Sequence, residues 1–135
     1  MKFFVDTNVI LDVFLGRDPF DEAAIQVFEK IEFDGWELFT SDNAITTSYF
    51  YLKKQIGSKK AKTVIIDFLQ EIKIQSVGRL QLLVAAQSNF KDFEDAVQYQ
   101  CALSIGGIDG IITRNKKDFK NSHIPVYTPF EALEL

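Results

Sequence analysis

The chain is 135 residues long, which leaves room for one domain of roughly 100–200 residues with its own core and for no second one. Hydrophobic residues make up 47% and charged residues 25%, which excludes a disordered, collagen-like or coiled-coil chain. Fifteen Lys and Arg against 19 Asp and Glu give a net charge of −4, so a surface that grips a phosphate backbone all round is excluded and only a local basic patch stays open.

Lys2–Val5 reads as a first strand ending at Asp6, after which Val9, Ile10, Val13 and Phe14 recur at helical spacing until Gly16. Asp6, Asn8 and Asp12 interrupt this apolar opening, which argues against a signal-peptide core or a membrane span. Pro19 opens a second helix through Ala23, Ala24, Val27, Phe28 and Ile31, with the turn out at Asp34-Gly35. Trp36–Thr40 is the second expected strand. Ser41 then caps a helix through Ile45, Tyr49, Leu52 and Ile56 that Gly57 closes. A helix from Ser58 carries Val64, Ile65, Phe68, Leu69 and Ile72 as one apolar face, with Lys59, Lys60 and Lys62 near its start.

Ile74–Val77 is the third expected strand, and Leu80, Leu83, Val84 and Ala86 mark a short helix ending near Asn89. Asp92 caps a helix with Phe93, Ala96, Val97, Cys101 and Ile105, which Gly106-Gly107 ends. Gly110–Thr113 and Pro125–Thr128 are the fourth and fifth expected strands, separated by the polar turn Arg114–Asp118, and Pro129–Leu135 supplies a last helical turn. Strands that alternate with helices predict an α/β fold, a three-layer α/β/α sandwich with a mostly parallel sheet covered on both faces, spanning residues 1–135 as one domain. Cys101 is the only cysteine, so no intrachain disulfide forms and a reducing, cytoplasmic setting is expected.

Three carboxylates hold related places in this pattern: Asp6 after the first strand, Asp95 in the first turn of a helix, and Asp118 after the fourth strand. Loops that leave the carboxyl ends of parallel strands meet at one rim, so residues remote in sequence can converge there. Gathered carboxylates raise one another's pKa unless a cation neutralises them, and an all-oxygen set suits Mg²⁺ or Mn²⁺. Such an ion makes phosphodiester hydrolysis the natural chemistry. Each acid also has a plainer use. Asp6 is equally suited to cap the first helix, Asp92 and Asp95 have capping-box spacing, and Asp118 fits an ordinary turn. Glu94, about 100° around the helix from Asp95, can reach the rim or face water.

Val5-Asp6-Thr7-Asn8-Val9-Ile10-Leu11-Asp12 resembles the opening of a PIN domain, the fold of VapC-type toxin ribonucleases. Asp92-Phe93-Glu94-Asp95-Ala96-Val97-Gln98, then Ile111-Ile112-Thr113-Arg114-Asn115-Lys116-Lys117-Asp118-Phe119, resemble that family's second half in the same order. The resemblance implies that Asp6, Asp95 and Asp118 hold Mg²⁺ or Mn²⁺ for RNA cleavage, with hydroxyls, Glu94 or water completing the metal shell. It implies supporting roles for Thr7, Asn8, Thr113 and Asn115, an antitoxin protein as partner, and a homodimer. Arg114 and Lys116, beside Asp118, are the expected substrate contacts. One feature departs from the family: its usual Glu lies about six residues beyond the equivalent of Ser41, where this chain has Thr46, Thr47 and Ser48. The alternative to a ribonuclease is therefore a weakened RNA-binding or protein-interaction module on the same fold. An aspartate phosphatase fits less well, because Asn8 stands where such enzymes need a second carboxylate. His123, alone and in a loop, suggests no catalytic arrangement.

Overall fold

Alternation across the central strands divides the core in two. In the computed structural model, which describes all 135 residues, strand β1 (Lys2–Val5) turns Phe3 and Val5 to one face and Phe4 to the other, all fully buried. Strand β4 (Gly110–Ile112) repeats the division with Ile112 and Ile111. This is the period of two that a strand imposes on its side chains.

Helices α1 (Thr7–Leu15), α2 (Asp21–Asp34), α3 (Asp42–Ile56) and α4 (Ser58–Leu69) and the short α7 (Pro129–Ala132) cover the Phe3 face, through Val9, Ile10, Ala24, Val27, Ala44, Phe68 and Ala132. Helices α5 (Arg79–Ala86) and α6 (Phe93–Leu103) cover the Phe4 face through Ala85, Ala96, Val97, Cys101 and Ala102. Strands β2 (Glu37–Ser41), β3 (Lys73–Gln75) and β5 (Val126–Tyr127) complete a five-stranded, all-parallel sheet in the order β3-β2-β1-β4-β5. The expected three-layer α/β/α sandwich is the observed one.

The strand order runs outward from β1 in both directions, so the switch point lies between β1 and β4, where Asp6 and Thr113 leave the sheet side by side. The Asp6 N–H donates to the Ile112 carbonyl at 2.9 Å, which fixes that register. Gly110 permits the neighbouring close approach: a Cβ there would stand 2.8 Å from the Tyr127 ring and 2.9 Å from the Pro125 carbonyl oxygen.

Several expected boundaries move. The second helix starts at Asp21 instead of Pro19, which follows a cis peptide bond in the preceding turn. The third strand is Lys73–Gln75, shifted toward the N-terminus, and Ile72 leads into it from the turn after α4 instead of extending that helix. The apolar stripe of α4 is also only partly covered: Phe68 packs on the core, while Leu69 is exposed. A helical period reports where apolar residues lie and says nothing of whether a partner covers them. No helix is long and apolar enough to cross a membrane.

Candidate active site

Asp6 is the N-cap of α1, the plainer of the two uses open to it in the sequence, and a buried carboxylate at the sheet rim. Its Oδ1 accepts from the Thr7 N–H at 2.8 Å, and its Oδ2 accepts from the Thr113 hydroxyl at 2.9 Å. That hydroxyl in turn accepts from Asn8 Nδ2 at 3.3 Å and from the Asn115 N–H at 3.1 Å. Asn8 Oδ1 accepts from the Arg114 N–H at 3.3 Å. Asn8, expected to support the first acid, and Asn115, expected with Thr113 to position the last one, thus meet at the Thr113 hydroxyl, where α1 and the loop after β4 touch.

Burial pushes the Asp6 carboxyl above its ordinary value. The hydrogen bonds from Thr113, Thr7 and Gln98 oppose this, and the negative charge of Glu94 adds to it. Asp95, half-buried on α6, is pushed up to about 7, first by burial and then by the charges of Asp6, Asp92 and Asp118. The charges of Asp6 and Asp118, two of the acids singled out in the sequence, thus both act on the third, Asp95. The three do not close into a ready-made cage, since no three acidic, histidine or cysteine side chains form a compact ligand cluster. The all-oxygen donor set is of the kind a small hard cation prefers, an ion that takes one or two carboxylates directly and keeps water on its remaining positions. Asp118 itself is exposed, in the single 3-10 turn Lys116–Phe119, with its N–H bonded to the Asn115 carbonyl.

The region on α3 where the family carries a Glu offers hydroxyls instead. Ser48 is buried with no partner for its hydroxyl, and Thr46 lines an open cavity of about 610 Å³ together with Asn43, Phe93 and Glu94. Glu94 thus brings a carboxylate to the side of the site from which the helix acid is missing. Asp42 is committed elsewhere, its Oδ1 accepting from the Asn43 and Val77 N–H groups at 2.8 and 3.1 Å.

Arg114 and Lys116, expected to contact substrate, have other partners. The Arg114 guanidinium lies over the Phe20 ring, Cζ 4.1 Å from its centroid, and its Nη2 donates to Asp12 Oδ1 at 3.1 Å. Lys116 pairs with Glu131 at 2.9 Å, which holds the Glu131 carboxyl below its usual value. The sequence showed these cations beside Asp118 and could not show the acids that neutralise them.

Two buried polar residues had been given no site role by the sequence. Asp12, with no exposed surface, pairs with Arg17 at 2.8 Å as well as with Arg114. Gln98, also buried, donates to Thr7 Oγ1 at 3.1 Å and accepts from the Ser41 hydroxyl at 2.6 Å, linking β2 to the Asp6 turn. A Gln one helical turn beyond Asp95 was the signal available, since i and i+3 share a helix face. Cys101 is the buried core residue expected, its thiol pushed up to about 11 chiefly by burial.

The PIN domain family matches residues 2–117. This chain is a PIN domain protein. A curated relative, "Ribonuclease VapC1" of Aquifex aeolicus (strain VF5), is 34% identical over 138 residues, spanning 98% of this chain and 94% of the relative. Among solved structures, a toxin-antitoxin complex from Klebsiella pneumoniae superposes with a TM-score of 0.67 at 25% identity, covering 95% of this PIN domain and 98% of that chain. VapBC2 from Rickettsia felis, bound to a DNA fragment from its promoter, shares the fold with a TM-score of 0.68 at 13% identity and covers 95% and 98%.

Proposed function

We propose that this PIN domain protein is a metal-dependent endoribonuclease and the toxin of a toxin–antitoxin pair, with Asp6, Asp95, Asp118 and Glu94 as the acids that hold Mg²⁺ or Mn²⁺. The observation that carries the reading is the half-buried Asp95 carboxyl, pushed up to about 7 first by burial and then by the charges of Asp6, its helix neighbour Asp92 and Asp118. Full-length similarity to a ribonuclease and to the chain of a toxin-antitoxin complex supports the substrate class and the partner.

When bound, a divalent ion there supplies an activated water and stabilises charge developing on the phosphoryl oxygens. The chain's own residues prepare the site for that charge. Thr113 and the Thr7 N–H hold the Asp6 carboxylate in one orientation and favour its ionised form, with Gln98 bonded to Thr7 behind them. Asp95 carries a proton part of the time near neutral pH and releases it when positive charge settles beside it. Glu94 supplies the negative charge that Thr46, Thr47 and Ser48 do not.

The test is cleavage of labelled single-stranded RNA with Mn²⁺ or Mg²⁺ and with EDTA as control. Metal-dependent cleavage that Asp6→Asn abolishes, in a variant with a wild-type circular dichroism spectrum, is the expected result. Undiminished cleavage by that folded variant removes the site assignment.

A second reading, a PIN-fold binding module without catalysis, draws on Thr46, Thr47 and Ser48 where the family has its acid. Calorimetry separates the two: no Mn²⁺ binding at millimolar metal, with RNA binding retained, favours the module. A second copy of this chain is the further partner we propose, the exposed Phe50, Tyr51, Ile66 and Leu69 of α3 and α4 offering it apolar surface. Light scattering reads the mass directly.

A further inference from the structure

In a 3-10 turn, side chains at i and i+3 eclipse one another. Lys117, within the turn after β4, and Lys120, at its end, therefore project from one edge, and both line an open cavity of about 560 Å³. Lys91, from the loop before α6, reaches the same cavity, which Asp95, Asp118 and Asn121 also line.

None of the three lysines is ion-paired, whereas Arg114 and Lys116 are both neutralised. Unpaired ammonium groups on an acidic chain, placed beside acids that suit a cation, are complementary to a ligand that brings its own anionic oxygens to a cation. The volume accommodates a nucleotide unit. We propose that this cleft is the subsite for an RNA backbone phosphate next to the bond that is cut, with Lys91, Lys117 and Lys120 as its contacts. The inference deepens the ribonuclease reading and rests on it. Ammonium groups on flexible stems position a phosphate without reading the base, so the cleft contributes affinity and register and no sequence preference.

The experiment measures anisotropy of a labelled single-stranded RNA in EDTA over a salt series, for the wild type and for Lys91→Gln/Lys117→Gln/Lys120→Gln. Each phosphate contact on a single strand contributes about 0.7 to the slope of log K against log salt, so loss of three flattens the slope by about 2. Binding at 0.1 M salt then weakens on the order of 100-fold. Mn²⁺ affinity by calorimetry is expected to hold or rise in the triple variant, since the acids stay in place. Lys59→Gln/Lys60→Gln/Lys62→Gln on α4 is the control for lost charge and is expected to keep the wild-type slope.

An unchanged slope in the cleft variant, or a slope that only the α4 variant flattens, overturns the proposal while wild-type cleavage leaves the ribonuclease reading standing. Retained RNA binding with lost binding of polyglutamate overturns it as well, assigning the cleft to an acidic protein partner. Conversely, a flattened slope in a protein that cleaves no RNA with metal supports the phosphate subsite and removes the nuclease.

Discussion

Asp12 and Arg114 stand 102 positions apart in the chain and meet in a 3.1 Å hydrogen bond from Nη2 to Oδ1. Through it α1, which carries Asn8, is tied to the loop that carries Thr113, Asn115 and Asp118. Arg17 reinforces the tie, its Nε donating to Asp12 Oδ1 at 2.8 Å and its Nη2 to the Asn8 carbonyl at 3.1 Å. A fully buried carboxylate is tolerated here because two guanidinium groups share it.

Replacing Asp12 by Ala strands both cations at the edge of the core. Breaking a buried ion pair from one side costs roughly 3–5 kcal/mol, and the partly exposed arginines place this case toward the lower end. Urea unfolding reads the loss, and Asp12→Ala is expected to lower Mn²⁺ affinity as well, because the loop that carries Asp118 loses its anchor. A variant as stable as the wild type removes the structural role given to the pair.

Thr113 is the hub of the hydrogen bonds around Asp6, so Thr113→Val, close to it in shape, isolates their contribution. It removes one donor to Asp6 Oδ2 and one acceptor shared by Asn8 and the Asn115 N–H. The expected cost is about 1–3 kcal/mol for buried polar groups left unpaired, together with weaker Mn²⁺ binding as Asp6 loses support for its charge. Thr113→Ser restores both if the hydroxyl is the cause; failure of Ser to restore them points to the lost methyl packing instead.

Asp6 and Asp95 both have folded pKa values above the ordinary 3.8, Asp95 at about 7. Between these limits the folded chain holds more protons than the unfolded one, so stability rises as pH falls through about 7 and is lowest above it. Glu37 and Glu131, whose values are lowered from 4.5, contribute stability that disappears only below that window. In metal-free buffer the melting temperature is expected to increase from about pH 8 to about pH 5. Mn²⁺ is expected to stabilise most at the alkaline end, where the carboxylates are free of protons. A melting temperature that falls steadily over this interval in EDTA contradicts the clustering of charge at Asp95.

Much of the fold is written locally. The alternation of Phe3, Phe4 and Val5, the helical spacing of Val9, Ile10 and Val13, and the caps at Ser41 and Asp92 depend on neighbours within a turn or two, and each reappears in the structure. The motifs around Asp6, Asp95 and Asp118 were likewise legible, because a local pattern of residue types carries them. The strand order β3-β2-β1-β4-β5 was not, since period and turn chemistry are the same whichever strand lies beside β1.

The roles of the charged residues divide along the same line. The sequence by itself determined which residues are acidic or basic and which elements bear them. Only the tertiary structure decided that Asp12 is buried between Arg17 and Arg114, that Lys116 belongs to Glu131, and that Gln98 spans from Ser41 to Thr7. The physical reason is that a charge acts over a few ångströms of space, whatever the number of residues between it and its partner. Whether a lysine is free to meet a ligand, or an aspartate to hold a cation, depends on partners that only folding brings within that distance.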